Sequence, residues 1–300
     1  MRAVTVAAMT PGRGLLLCFA VAATAALAAC GGAAPAASSA PGYDKIIVQV
    51  YGTPAQRRAA DARAWWTSRV AAVECMGRAG QPYGIVGYNA PSDREDIAPG
   101  NLLAFAPARE DFDVAAQLIR AADARLVLDS AANGAGGSDR ASVVRRCETE
   151  AAAATGPRVP DGQQALAGAL VDRLRRVQDA AAPTLAADYR TCMAAGGIPV
   201  ADLVALRTRV ERAFPATLAT VEYDPTKLPG WAAAVAFEHR AAAADARCRE
   251  TAVKAVRAAA APQLAEFTRE HAAELDRVAA GWAWIEVDAR NAEHAAGPED

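Results

Sequence analysis

The chain has 300 residues, with 32 basic and 34 acidic side chains for a net charge of −2. Hydrophobic residues reach 53%, but 81 positions are alanine and aromatics are only 6%, so much of the apolar content is methyl groups rather than bulky core. This balance excludes a binder of phosphate backbones held by a large basic patch, an acidic disordered tail and a multi-span membrane protein. Alanine at this density, among straight-chain and charged residues, is helix-forming material. With no alternating strand–helix pattern, the fold class predicted is all-α: an elongated helical bundle.

The elements follow in chain order. Arg2 and Arg13 precede an apolar run from Leu15 to Ala29, which stops at Cys30. The run is shorter than the ~20 residues a spanning helix needs. A charged start, an apolar middle and small residues at the cut make residues 1–29 a secretory signal. Leu27-Ala28-Ala29-Cys30 resembles the lipobox of bacterial lipoproteins. That resemblance implies a diacylglyceryl group on Cys30, cleavage just before it, and a mature chain held by lipid on the outer face of the cytoplasmic membrane. Residues 30–42 then form the lipidated cysteine and a flexible tether, because Gly, Ala, Pro and Ser alone offer nothing to pack.

The body begins with Lys45 to Tyr51, a β-branched run that reads as a short strand or extended arm. Thr53-Pro54-Ala55-Gln56 is a capping box with proline at the first helical position. It opens a helix to about Arg78, with Trp66, Val70 and Val73 on one stripe. Residues 83–107 carry scattered Gly and Pro without a helical period, and connections this long are disordered or functional. A helix from Glu110 to Leu126 follows, then a glycine-rich break, then a helix capped by Ser138 that carries Cys147.

Asp161 caps the next helix, with Gln164 reaching back; it runs to Ala195 with a kink at Pro183. Its stripe is Leu170, Leu174, Val177, Ala181, Leu185, Tyr189 and Cys192, at the three-and-four spacing of a buried face. Further helices fit Ala201–Phe214, Trp231–Ala260 and Pro262–Glu293. Phe237, Ala241, Ala244, Cys248 and Ala252 share one face of the 231–260 helix.

Two strings in this body match. Residues 75–82 and 192–199 both read C-M-x-x-x-G-x-P, and Arg146-Cys147 has a later counterpart in Arg247-Cys248. The pattern predicts two related halves, 43–160 and 161–294, with a flexible tail at 295–300. Glycine followed by proline stops a helix through a left-handed cap, so the strings have a structural use. Cys18 leaves with the signal and Cys30 takes the lipid, which leaves Cys75, Cys147, Cys192 and Cys248. An even number in an exported chain argues for disulfides. The repeat favours Cys75–Cys147 with Cys192–Cys248, one within each half. A Cys₄ zinc site is the alternative, but no C-x₂-C pair is present.

Motifs for nucleophilic, phosphate, dinucleotide or metalloprotease chemistry are absent. Glu270-His271-x-x-Glu274 reverses the Glu-x-x-His order of di-iron bundles, so it reads as a solvated helix face. Asp93, Glu95 and Asp96 lack calcium-loop spacing. Glu238 and Asp245 lie two turns apart beside His239, which suits either a carboxylate pair in a cleft or a salt bridge to Arg249 or a neighbouring helix. Trp65, Trp66, Trp231, Trp282 and Trp284 suit sugar stacking or core filling.

The Cys-Met-x-x-x-Gly strings and Ala244-Asp245-Ala246-Arg247-Cys248-Arg249, behind a lipobox, are similar to uncharacterised lipoproteins of high-GC Gram-positive bacteria. The similarity spans most of residues 60–290, although Val143-Val144-Arg145-Arg146-Cys147 lacks the Ala-Asp before its cysteine. It implies localisation and architecture and transfers no catalytic residue. The expected role is a non-catalytic binding or scaffold module of the envelope, with no metal, cofactor or nucleic acid. Its partners are the membrane, through the lipid, and an envelope protein or polymer. An envelope hydrolase using Glu238, His239 and Asp245 is one alternative, and an accessory subunit of an envelope transport system is another.

Overall fold

Thr53 sits in extended backbone; its hydroxyl accepts from the Gln56 amide at 3.1 Å, and the Gln56 side chain accepts from the Thr53 amide at 2.9 Å. With Pro54 in the first turn, this reciprocal cap starts α2, Pro54–Arg78, where the sequence places it. The computed structural model describes residues 42–81, 83, 88, 99–122, 138–156, 158–215 and 224–296. Every regular element among them is helical, with no strand. The signal, the lipobox, the tether up to residue 41 and residues 297–300 lie outside the described residues, as do Asp93, Glu95 and Asp96, while Ala295 and Ala296 of the expected flexible tail continue the last helix.

The expected strand at 45–51 is instead α1, Tyr43–Tyr51. Tyr43, Ile46 and Val50 fall at helical spacing and are all buried. Burial of that stripe outweighs the β-branched preference, which amounts to only about 0.5 kcal/mol per residue. Gly52 ends the helix at φ 77°, its amide donating to the Val48 carbonyl. The buried Trp282 ring lies against Gly52, and its Nε1–H donates to the Val50 carbonyl at 3.2 Å. A Cβ at position 52 would stand 2.8 Å from that ring, in a conformation L-residues avoid. Gly52→Ala is therefore expected to cost about 1–3 kcal/mol, read as a lower denaturant midpoint; an unchanged midpoint would refute the contact.

Both C-M-x-x-x-G-x-P strings end their helices in the same way. After α2, Gly80 takes φ 66°, with Gln81 N–H donating to the Met76 carbonyl and Gly80 N–H to the Gly77 carbonyl. After α6, Leu185–Ala195, Gly197 takes φ 77°, with Ile198 N–H donating to Met193 and Gly197 N–H to Ala194. These are paired Schellman bonds. Each string holds a cysteine in the last turn of its helix. Cys75 bonds Cys147 on α4, Ser138–Ala154, and Cys192 bonds Cys248 on α8, Trp231–Glu270.

Several boundaries differ from expectation. Helix α3 starts at 114 rather than Glu110, because Asp113 ahead of it takes φ 61°, and it is described as far as 122. Helix α5, Gln163–Ala181, begins after Gly162 at φ 80° with no side-chain cap, so Asp161 does not serve. Pro183 breaks the helix outright: Ala182 moves to φ −145°, as a residue before proline tends to. The break rotates α6, so Tyr189 and Met193 are buried while Cys192 is exposed. Helix α7, Leu203–Ala213, is capped by Asp202, whose carboxylate accepts from the Ala205 amide. Helix α8 runs straight through Pro262. Proline there costs roughly 3 kcal/mol, but Val256, Ala260, Leu264 and Phe267 form one buried stripe across it. The turn comes later, at His271, and α9 spans Ala272–Ala296.

The packing does not follow the boundary at residue 160. Helix α2 lies along α9 as well as α4, and α1 packs on α5, α8 and α9. The matching strings share one way of ending a helix, and the helices they belong to pack across that boundary. One large core gathers Ile46, Leu170, Tyr189, Leu206, Leu264 and Ile285, while a small second core surrounds Cys75, Met76 and Cys147. No helix among the described residues is long and apolar enough to cross a membrane. Two disulfides indicate an oxidising environment.

Candidate functional site

Residues 99–115 are mostly irregular, yet Leu102, Leu103, Ala104, Phe105, Phe112 and Val114 are all buried. Irregular backbone in a core carries peptide groups that no ladder satisfies. The surrounding helices supply the missing partners. Gln178 of α5 accepts from the Ala104 amide at 3.0 Å, and Tyr43 of α1 donates to the Phe105 carbonyl at 3.4 Å. Most of the remainder comes from α8.

Arg249 is 2% exposed, and all five of its N–H donors are used. Nη1 donates to the Leu103 and Ala106 carbonyls, both at 2.8 Å, and Nη2 to the Pro107 carbonyl at 3.0 Å. Nε and Nη2 grip the two oxygens of Asp245 at 2.9 and 2.6 Å. Tyr189 of α6 donates to Asp245 Oδ1 at 2.9 Å. Eleven residues earlier on α8, Glu238 is 1% exposed and accepts from the amides of Phe112, Val114 and Ala115 at 3.0, 2.7 and 3.3 Å. A carboxylate facing those amides also matches the positive end of α3. The cluster acts as a set of clamps that sink one irregular segment into the bundle.

Glu238 and Asp245 thus lie one after the other along α8 but face backbone and Arg249 rather than a cleft. The salt bridge to Arg249 read from the sequence is present. His239 points elsewhere, exposed, with Nδ1 3.0 Å from the Glu110 carbonyl. Glu270 pairs with Arg173, the His271 ring lies tilted against Phe267 with centroids 4.5 Å apart, and Glu274 is exposed. Among the described residues no His, Cys, Asp or Glu group is arranged to hold a metal ion.

The tryptophans divide. Trp66, Trp231 and Trp282 are buried in the core, Trp65 is half-buried, and Trp284 is 59% exposed. The Arg63 guanidinium lies 5.4 Å from the Trp284 ring centre while its Nε bonds Asp288. Elsewhere a shallow depression of about 560 Å³ lies along α7, bordered by Val200, Val204, Thr208 and Arg209, with Arg209 tied to the Pro199 carbonyl.

The sequence puts Tyr189 in an apolar stripe and offers Arg249 as one salt-bridge partner for the α8 carboxylates. Both have polar work in the core. The signal lay in the spacing: Glu238, Asp245, Arg249, Val253 and Val256 share the face of α8 that carries Ala234, Ala241 and Ala260, all buried.

Burial also shifts the phenols. It raises Tyr189, with the Asp245 carboxylate and its hydrogen bond pushing the same way, and it raises Tyr43 too. Tyr88 is pushed up to about 12, again chiefly by burial. Each folded-state value exceeds the unfolded one near 10, so above that pH the native state holds the extra protons. Their contribution is complete below about pH 10 and is lost as pH rises beyond it. Alkaline titration is expected to show tyrosinate absorbance appearing together with loss of helical circular dichroism. Full ionisation of these phenols with the helix signal intact would refute the buried placement.

Comparison with known proteins finds no match: no family profile, no curated protein and no solved structure resembles this chain.

Proposed function

We propose that the chain is a lipid-anchored protein on the outer face of the cytoplasmic membrane, serving as a non-catalytic binding or scaffold module of the envelope. The observation that carries this reading is the use made of Glu238 and Asp245. These are the carboxylates best spaced for acid–base work, and both are withdrawn from solvent and committed to backbone amides, Tyr189 and Arg249. A general acid or base must reach its substrate within hydrogen-bond distance, and these groups serve the fold instead. The two disulfides suit an oxidising compartment. The lipobox resemblance at Leu27-Ala28-Ala29-Cys30 supports the anchor.

Metabolic labelling with a fatty acid tests the anchor, and crosslinking in intact cells tests the binding role. The expected outcome is a labelled wild type, an unlabelled Cys30→Ala chain, and a defined envelope protein or polymer captured by the wild type. An unlabelled wild type would overturn the anchor. Hydrolysis of envelope polymer by the purified chain, with nothing captured in cells, would overturn the binding role.

A further inference from the structure

The two disulfides differ in access. Cys75 and Cys147 are 6% and 0% exposed inside their own small core, backed by Met76 and Val143. Cys192 is exposed and Cys248 only half-buried. Beneath the second bridge, α6 and α8 are joined again by the buried Tyr189–Asp245 hydrogen bond. Each of those residues lies three positions before a bridging cysteine, about one helical turn. Leu185, Tyr189 and Met193 also seat α6 in the core. Helix α6 is therefore held both by a covalent bond at the surface and by packing and a hydrogen bond within. Breaking the outer link leaves the inner one in place.

We propose that Cys192–Cys248 is a thiol–disulfide exchange site for a dithiol reductant, while Cys75–Cys147 is a permanent structural bond. A thiolate of the dithiol attacks Sγ of Cys192 and forms a mixed disulfide. The Cys192–Cys248 bond breaks, and Cys248 leaves as a thiolate that takes a proton from solvent. The second thiolate of the dithiol then attacks its own partner sulfur and releases Cys192. Two electrons pass from the dithiol to the bridge, leaving two thiols on this chain and one disulfide on the reductant.

Timed reduction of the full oxidised chain with dithiothreitol, quenched by alkylation and mapped by mass spectrometry, tests this. Cys192 and Cys248 are expected to be labelled at least about a hundredfold faster than Cys75 and Cys147, because buried sulfur is reached only through opening of the fold. Helical circular dichroism is expected to persist through the fast phase. A Cys192→Ser/Cys248→Ser chain should lose the fast phase and keep the slow one. Equal rates, earlier labelling of Cys75 and Cys147, no labelling short of denaturation, or loss of helix during the fast phase would each overturn the proposal. None of these outcomes depends on the lipid anchor or on a captured partner, so this inference and the proposed function fail separately.

Discussion

Arg249→Met is expected to lower the free energy of unfolding by about 3–5 kcal/mol, the range for removing one partner of a buried ion pair. The side chain is 2% exposed, and its loss leaves the Asp245 carboxylate without its cation, held by Tyr189 alone, and the carbonyls of Leu103, Ala106 and Pro107 without their donor. Methionine fills much of the volume but offers no donor. Arg249→Lys separates charge from geometry. Lysine keeps the cation but has three donors from one nitrogen, against five in a planar fork. It should still cost about 1–3 kcal/mol through unsatisfied carbonyls. Denaturant titration measures both losses, and hydrogen exchange should show residues 102–107 deprotected first. A loss below about 1 kcal/mol for Arg249→Met would mean that the segment does not depend on the Arg249 clamp.

The second large effect belongs to the buried bridge. Cys75 and Cys147 are separated by 72 residues, and removing a cross-link across a loop of that size costs about 4 kcal/mol in the chain-entropy account. The bond also forms the centre of the small core between α2 and α4, with Met76 beside it. Cys75→Ala/Cys147→Ala should therefore lower the melting temperature and remove exchange protection from α4 before the rest of the bundle. Protection of α4 equal to that in the wild type would show that α4 docks without the bond.

Local patterns explain what could be read early. The Thr53–Gln56 capping box, the left-handed glycines at 80 and 197, and the cysteine pairing each depend on residues close in sequence or matched by repetition. For the caps the physics is short-range, a hydroxyl reaching an amide three residues on or a glycine taking a positive φ; for the cysteines the matched strings stood in for contacts far apart in the chain. The same locality misled at residues 45–51, where β-branched side chains favour extension but a buried helical stripe of Tyr43, Ile46 and Val50 prevails. It misled again at the prolines. Pro183 divides α5 from α6, whereas Pro262 is carried inside α8 because burial continues on both sides of it.

The carboxylates show the same division. Glu238 and Asp245 were visible as a pair on one helix, and Arg249 was visible as a partner. Nothing local says that residues 99–115 enter the core without regular structure, so nothing local says that three charged side chains must follow them in.

Composition, periodicity and the Thr53–Gln56 capping box were enough to make this a helical chain, because each acts over a few residues. Packing between distant helices sets the rest: α2 lies along α9, one bridge is buried while Cys192 of the other is exposed, and the charges of α8 serve the backbone of a distant segment. Those outcomes depend on which surfaces meet, and burial of a charge or a peptide group is set by that meeting rather than by its neighbours in the chain.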